Sequence, residues 1–277
     1  MKIMKDVLRK EVKKILASLA AQEKEKQSKL ITSKDCSKIS PEHKGTRLPR
    51  TCDRNEEQGY FEPVPALPVT ERRGTIYLRT CYSVYLIRGP VTKKNSSFRL
   101  SGTVIYLIYV LVHICCQLLS LPEYQKSNRV SIYLHMDDEV RTSDILEDIF
   151  RTGKICFIPR YSTDSTHMDM LRVNTLQELE SLPLTNWNIR QPLDSDEREN
   201  ALNSGGLDLI VVPGLAFSRQ GARLGRGKGY YDTYLTKCRQ LQNTSPVTVG
   251  LAFKQQLLDN IPTQEFDVKM DHVLFVE

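Results

Sequence analysis

Leu207-Asp208-Leu209-Ile210-Val211-Val212-Pro213, with Arg223-Leu224-Gly225-Arg226-Gly227-Lys228-Gly229-Tyr230-Tyr231-Asp232 ten positions further on, decides how this chain folds. The first stretch is a short apolar run closed by proline, the pattern of a strand buried on both faces. After the second, Tyr231, Tyr234, Leu235 and Cys238 share one face of a helix over residues 230–241. A loop that leaves a buried strand and enters a helix is where α/β proteins hold phosphates. Its composition agrees. Glycine lets the backbone turn through positive φ and approach a ligand closely. Successive N–H groups in such a turn form a concavity for an anion, and Arg226 and Lys228 add charge where phosphate would sit. Asp232 is an oxygen ligand of the kind Mg²⁺ takes beside a nucleotide. The stretch therefore reads as a site for a nucleoside triphosphate.

Neither common phosphate motif accounts for it. Walker A needs four residues before its Gly-Lys, but five separate Gly221 from Gly227-Lys228, and Gly229 stands where Ser or Thr is required. In the dinucleotide fingerprint the third glycine falls one position later than Gly229 does. Taken alone, the run also suits a solvated Gly-Arg loop that binds nucleic acid loosely; the flanking strand and helix favour the phosphate reading.

Working outward, 277 residues allow one large or two ordinary domains, and 40% apolar residues allow a sizeable core. The net charge of +6 is confined to one segment: residues 34–122 hold 13 Lys/Arg and 7 Asp/Glu, while the remainder holds 26 of each. A neutral remainder argues against a nucleic-acid partner. Five of the seven cysteines fall in the same segment, and no Cys-x-x-Cys pair or zinc spacing occurs. With no apolar leader at the N-terminus, this points to a reducing, cytoplasmic setting.

Residues 3–30 read as one long helix, with Met4, Leu8, Val12, Ile15, Leu16 and Leu19 at three- and four-residue steps. Six prolines break up residues 34–102, where disorder is expected apart from a β-like patch at 75–88. Residues 103–121 form an apolar run without formal charge that meets the length criterion for a membrane span; a buried helix, or sequence that is not native coding sequence, fits equally. From Asn128 onward strand and helix patterns alternate: strands at 130–134, 155–158, 169–173, 247–253 and 273–276, a helix capped by Thr142 and ended by Gly153, and a short helix at 176–182. Such alternation implies an α/β, mostly parallel sheet with helices on both faces.

The chain resembles the 5-formyltetrahydrofolate cyclo-ligase family. The resemblance is carried by Lys5 with Leu8-Arg9, residues 129–142, residues 153–160, His167-Met168-Asp169-Met170, residues 207–217, residues 223–232, and Asp267 with Asp271. It covers residues 1–33 and 123–277. It implies a Rossmann-like fold of cyclo-ligase type, acting as a monomer, and ATP- and Mg²⁺-dependent conversion of 5-formyltetrahydrofolate to 5,10-methenyltetrahydrofolate. In this scheme the γ-phosphoryl group activates the formyl oxygen and N10 closes the ring. The family pattern places Lys5, Arg9, Arg223, Leu224, Gly225, Arg226, Gly227, Lys228, Gly229, Tyr230 and Tyr231 on the nucleotide, with Arg226 and Lys228 acting in catalysis. Arg9, Met136, Arg141 and Tyr230 would meet the folate, and Asp232 and Asp267 would hold Mg²⁺.

Three departures stand out. Arg141 occupies a position where an acid is expected near the substrate, and Arg190 one where proline is usual. The largest is residues 34–122, which read as an insert between the first helix and the rest of the core, with translated intervening sequence as one source. If 103–121 crossed a bilayer once, Lys5 and Arg9 would lie on the opposite side from Lys228 and no shared site could form. A membrane-tethered or misfolding-prone chain that keeps only part of the folate surface is the alternative reading.

Overall fold

Side chains along the central strands alternate between two apolar layers, which sets the architecture. The computed structural model describes residues 1–31, 70–72, 75–79, 84–88, 102–162 and 166–277. In chain order the elements are α1 (Lys2–Ile31), β1 (Thr70–Arg72), β2 (Thr75–Arg79), β3 (Val84–Arg88), α2 (Gly102–Ser120), α3 (Pro122–Lys126), β4 (Arg129–Ser131), α4 (Ser143–Arg151), β5 (Ile155–Tyr161), β6 (Met168–Val173), α5 (Leu176–Ser181), β7 (Leu209–Val212), β8 (Ala216–Phe217), β9 (Arg223–Leu224), α6 (Tyr230–Leu241), β10 (Val247–Leu251) and β11 (His272–Leu274). Two compact units result. One comprises Met1–Lys24 and Leu100–Glu277, the other Glu25–Arg99.

In the larger unit a six-stranded sheet has the order β11-β10-β7-β4-β5-β6. All neighbours are parallel except β6, which runs antiparallel to β5. Leu209 and Val211 of β7 join one core layer with α2, α3, α4 and α5. Ile210 and Val212 face the other layer, with Tyr234, Leu235 and Cys238 of α6. All four β7 residues are buried, as expected of a central parallel strand. The sheet is thus covered on both faces, in agreement with the sequence reading.

The chain leaves β4 towards β5 on one side and returns through β7 on the other. That reversal between β4 and β7 is a topological switch point, and the crevice beyond the strand ends there is the usual ligand position in open α/β sheets.

The smaller unit contains an antiparallel three-stranded sheet, β1-β2-β3, with Thr75 opposite Arg88 and Arg79 opposite Val84. The β-like patch at 75–88 accounts for two of its strands. The expectation of disorder for most of residues 34–102 otherwise lies outside the described residues.

The apolar run at 103–121, grouped by its composition with the insert, forms α2. It gives Val110, Ile114, Leu118 and Leu119 to the main core beside α4 and β11. Composition alone could not separate a buried helix from a span, because both need the same residues and differ only in what covers them. Among the described residues no helix is long and apolar enough to cross a membrane. α1 meets its expected length, and its Val12 and Leu16 pack with Leu215, Ala216, Ala222 and Leu224 of the β8–β9 hairpin. This short hairpin separates β7 from the glycine-rich run, so the run does not leave the buried strand directly.

Candidate functional site

The β8–β9 hairpin delivers Gly225–Gly229 to the mouth of the switch point. Gly227 and Gly229 have φ of +109° and +75°, left-handed values that favour glycine. Gly229 caps α6 from that conformation. Among the described residues, none of the backbone N–H groups from 225 to 229 finds an acceptor. They precede the first turn of α6, whose own N–H groups have no partner within the helix. A row of donors ahead of a helix N-terminus suits an anion.

Four cations converge on this loop from two distant segments. From α1, Lys5 Nζ donates to Asp267 Oδ2 at 2.5 Å, and Arg9 Nε donates to the Gly225 carbonyl at 3.1 Å. The Arg9 guanidinium lies beside Gly227, and it also pairs with Asp6. From the loop, Arg226 Nη2 reaches Asp138 Oδ1 at 2.6 Å and Glu139 Oε1 at 3.2 Å. Lys228 is exposed and, among the described residues, has no hydrogen bond or ion pair.

Arg223 and Leu224 serve the site from beneath. Leu224 is buried in the α1 contact. Arg223 is also buried; it donates to Asp232 Oδ2 at 2.8 Å and to the Pro213 carbonyl at 3.2 Å, and lies over the Tyr231 ring. Burial raises the Tyr231 phenol above its ordinary range. Asp232 is engaged at both oxygens, since Oδ1 accepts from the Val268 N–H at 3.2 Å. At Asp267, both Lys5 and the Gln264 N–H bond to Oδ2.

These two acids were expected to hold Mg²⁺, and the chain brings them close, because Val268 follows Asp267. Among the described residues no group of three or more His, Cys, Asp or Glu side chains could hold a metal. Two carboxylates still fit Mg²⁺, which takes one or two from the protein and the rest of its shell from phosphate and water.

Across the switch point, the loop after β4 carries Met136, half-buried, whose N–H donates to Glu139 Oε2 at 3.0 Å. Glu139 is buried. Desolvation raises its carboxyl, opposed by the Arg226 charge and the Met136 hydrogen bond. Arg141 is exposed just before α4, where its charge partly offsets the burial that raises the Asp144 carboxyl and adds to the burial that lowers His135. Arg190 donates to the Leu182 carbonyl at 2.6 Å and so closes the 182–190 loop.

Tyr230 connects the two sides. Its hydroxyl donates to the Ser162 carbonyl at 2.7 Å, and its ring lies 5.4 Å from Tyr161, which in turn lies 5.3 Å from Trp187. These spacings suit interacting aromatic pairs. Tyr161, Trp187 and Asp138 were not anticipated from the sequence. Tyr161 could have been suspected from its place at the carboxyl end of a strand, and Trp187 from being the only tryptophan, in a loop.

A glycine loop whose N–H donors have no acceptor among the described residues, neighbouring cations and an aromatic row thus meet at the switch point of an α/β sheet, where open sheets of this class place their ligands. The family model described as the 5-formyltetrahydrofolate cyclo-ligase family matches residues 113–276, more than half of the chain. The chain belongs to that family. It is 57% identical to the 5-formyltetrahydrofolate cyclo-ligase of Mus musculus over 153 residues, which is 55% of this chain and 75% of the mouse protein. A probable 5-formyltetrahydrofolate cyclo-ligase of Caenorhabditis elegans is 40% identical over 153 residues, covering 55% of this chain and 74% of its own length. An Aquifex aeolicus 5,10-methenyltetrahydrofolate synthetase structure aligns with a TM-score of 0.47 at 28% identity, covering 59% of this chain and 76% of that one. The family match opens inside α2 and does not include α1, so the placement of Lys5 and Arg9 rests on geometry.

Proposed function

We propose that the chain converts 5-formyltetrahydrofolate to 5,10-methenyltetrahydrofolate, using ATP and Mg²⁺ and releasing ADP and phosphate. The formyl oxygen on N5 attacks the γ-phosphorus, the bond to the β–γ bridging oxygen breaks, and ADP leaves. N10 then attacks the formyl carbon, the carbon–oxygen bond to phosphate breaks, and N10 gives its proton to solvent. The poor leaving oxygen of a formamide has become inorganic phosphate. No protein nucleophile is needed, and catalysis is positioning and charge stabilisation.

In this reading the N–H groups of residues 225–229 and the Lys228 ammonium cradle the β- and γ-phosphates, with Arg226 alongside. Arg9 braces the loop through Gly225, and Lys5 holds Asp267. Tyr230, Tyr161, Trp187 and Met136 take the flat faces of the folate. Asp232 and Asp267 would hold Mg²⁺, which would offset the charge of the phosphates. The reading has the chain act as a monomer. The reading places the chain in the reducing cytoplasm, a setting that fits seven cysteines with no legible disulfide or zinc spacing in the sequence.

The observation that carries the proposal is the meeting of α1 with the loop. Lys5 and Arg9 bond to residues 262 and 216 positions away, beside N–H donors that have no acceptor among the described residues. The test uses 5-formyltetrahydrofolate labelled with ¹⁸O in the formyl group. The full chain with ATP and Mg²⁺ is expected to place the label in inorganic phosphate while methenyl product accumulates. Product with unlabelled phosphate contradicts the phosphorylation step, and no product contradicts the activity.

A further inference from the structure

Arg226 is the loop cation that reaches across the switch point. A single nitrogen, Nη2, bonds to Asp138 at 2.6 Å and to Glu139 at 3.2 Å. Both acids lie in the loop after β4, and the second oxygen of Glu139 accepts the Met136 N–H. One guanidinium therefore ties the nucleotide loop to the backbone of the proposed folate side.

The two acids are not equivalent. The Glu139 side chain is 7% exposed and anchored at both oxygens, whereas Asp138 is 22% exposed and makes the shorter bond. A guanidinium is planar, with its five donors in a fixed fork. With both Nη2 donors taken, the plane cannot turn without giving up a charge-assisted bond. Nη1 and Nε have no partner among the described residues, so they are the donors left for an incoming anion.

We propose that Asp138 is a positioning residue that fixes the Arg226 fork with Nη1 and Nε turned towards the transferring phosphoryl group, and that this shared guanidinium couples nucleotide binding to folate binding. The inference rests on the ATP–folate reading above. An anion on Nη1 and Nε locks the plane and with it the 136–139 loop; a folate ordering that loop locks the fork in return. The coupling must be reciprocal, because binding free energies are linked.

The test titrates 5-formyltetrahydrofolate into the full chain and reads Trp187 fluorescence, with and without Mg²⁺ and a non-hydrolysable β,γ-imido ATP analogue. Trp187 is the only tryptophan and packs against Tyr161 in a tilted ring contact, with centroids 5.3 Å apart. In the wild type the analogue is expected to tighten folate binding about tenfold, a usual size for coupled sites. In Asp138→Asn the coupling is expected to fall to about twofold or less while each ligand alone binds within about threefold of wild type. Asp138→Glu is expected to recover part of it. Coupling that survives intact in Asp138→Asn overturns the proposal. So does a loss of each ligand's own affinity as large as the loss of coupling, which would make Asp138 merely structural. If Asp138→Asn does not fold, the titration is read on Asp138→Glu, where unchanged coupling is the contrary result. A wild type that binds both ligands independently defeats this inference alone. One that binds neither defeats the function proposed above.

Discussion

The two segments that supply cations to the site, α1 and the glycine loop, are held in place by opposite means. α1 is positioned by apolar packing. Val12 and Leu16 are buried against the β8–β9 hairpin, each worth about 1.5–3 kcal/mol, and Lys5 and Arg9 follow from that docking. The loop is positioned by its backbone, through left-handed glycines and donors with no acceptor among the described residues. A side-chain change far from the loop should therefore disable the first segment, whereas only a backbone or charge change should disable the second. The lesson is that one site can depend on global stability on one side and be nearly independent of it on the other.

The largest expected effect is on the α1 side. Leu16→Ala should cost about 2–5 kcal/mol of stability, visible as a lowered Tm, and should raise the KM for ATP as Arg9 loses its register. A lowered Tm with unchanged KM would separate α1 docking from the site. On the loop, Lys228→Met should reduce kcat/KM about 10- to 100-fold, the worth of a charge-assisted hydrogen bond, with Tm unchanged because the side chain is exposed. Gly227→Val should introduce about 1–3 kcal/mol of backbone strain. Its loss is expected in activity more than in the melting of the core, which circular dichroism and ADP release together would resolve.

The smallest effect lies away from both segments and serves as a control. Glu199 is lowered to about 2 by its hydrogen bonds to Arg172, Ser204 and Arg129. Its folded value lies below its unfolded one, so its contribution is present above the unfolded value near 4.5 and fades as pH falls through about 2. Glu199→Gln should flatten Tm against pH on that acid limb and leave the ATP KM unchanged.

How much of this was legible in the sequence follows the same division. Residues 223–232 announce themselves because glycine, charge and helix start are contiguous. The central strand at 209–212 is readable from unbroken apolarity. Lys5 and Arg9 could be placed only through family resemblance, because nothing in their own spacing distinguishes them from a solvated helix face. Asp138, Tyr161 and Trp187 were missed because strand order brings them together, and strand order is not a local property. The β8–β9 hairpin is two residues per strand, too short to show a period. α2 was ambiguous for a physical reason: its apolar run satisfies a membrane and a protein core alike, and only its neighbours in the core distinguish them.

In the function proposed above, α1 and the glycine loop make one ATP–folate site. The most direct measurement is ADP release by the full chain with and without 5-formyltetrahydrofolate, for wild type and Arg9→Met side by side. Arg9→Met keeps an apolar stem but removes the guanidinium that bonds to Gly225. Folate-dependent ADP release is expected in the wild type, with a loss of about 10- to 100-fold in kcat/KM for ATP in the variant, at little cost in Tm. Equal kcat/KM in the two proteins, or ADP release indifferent to the folate, would contradict it.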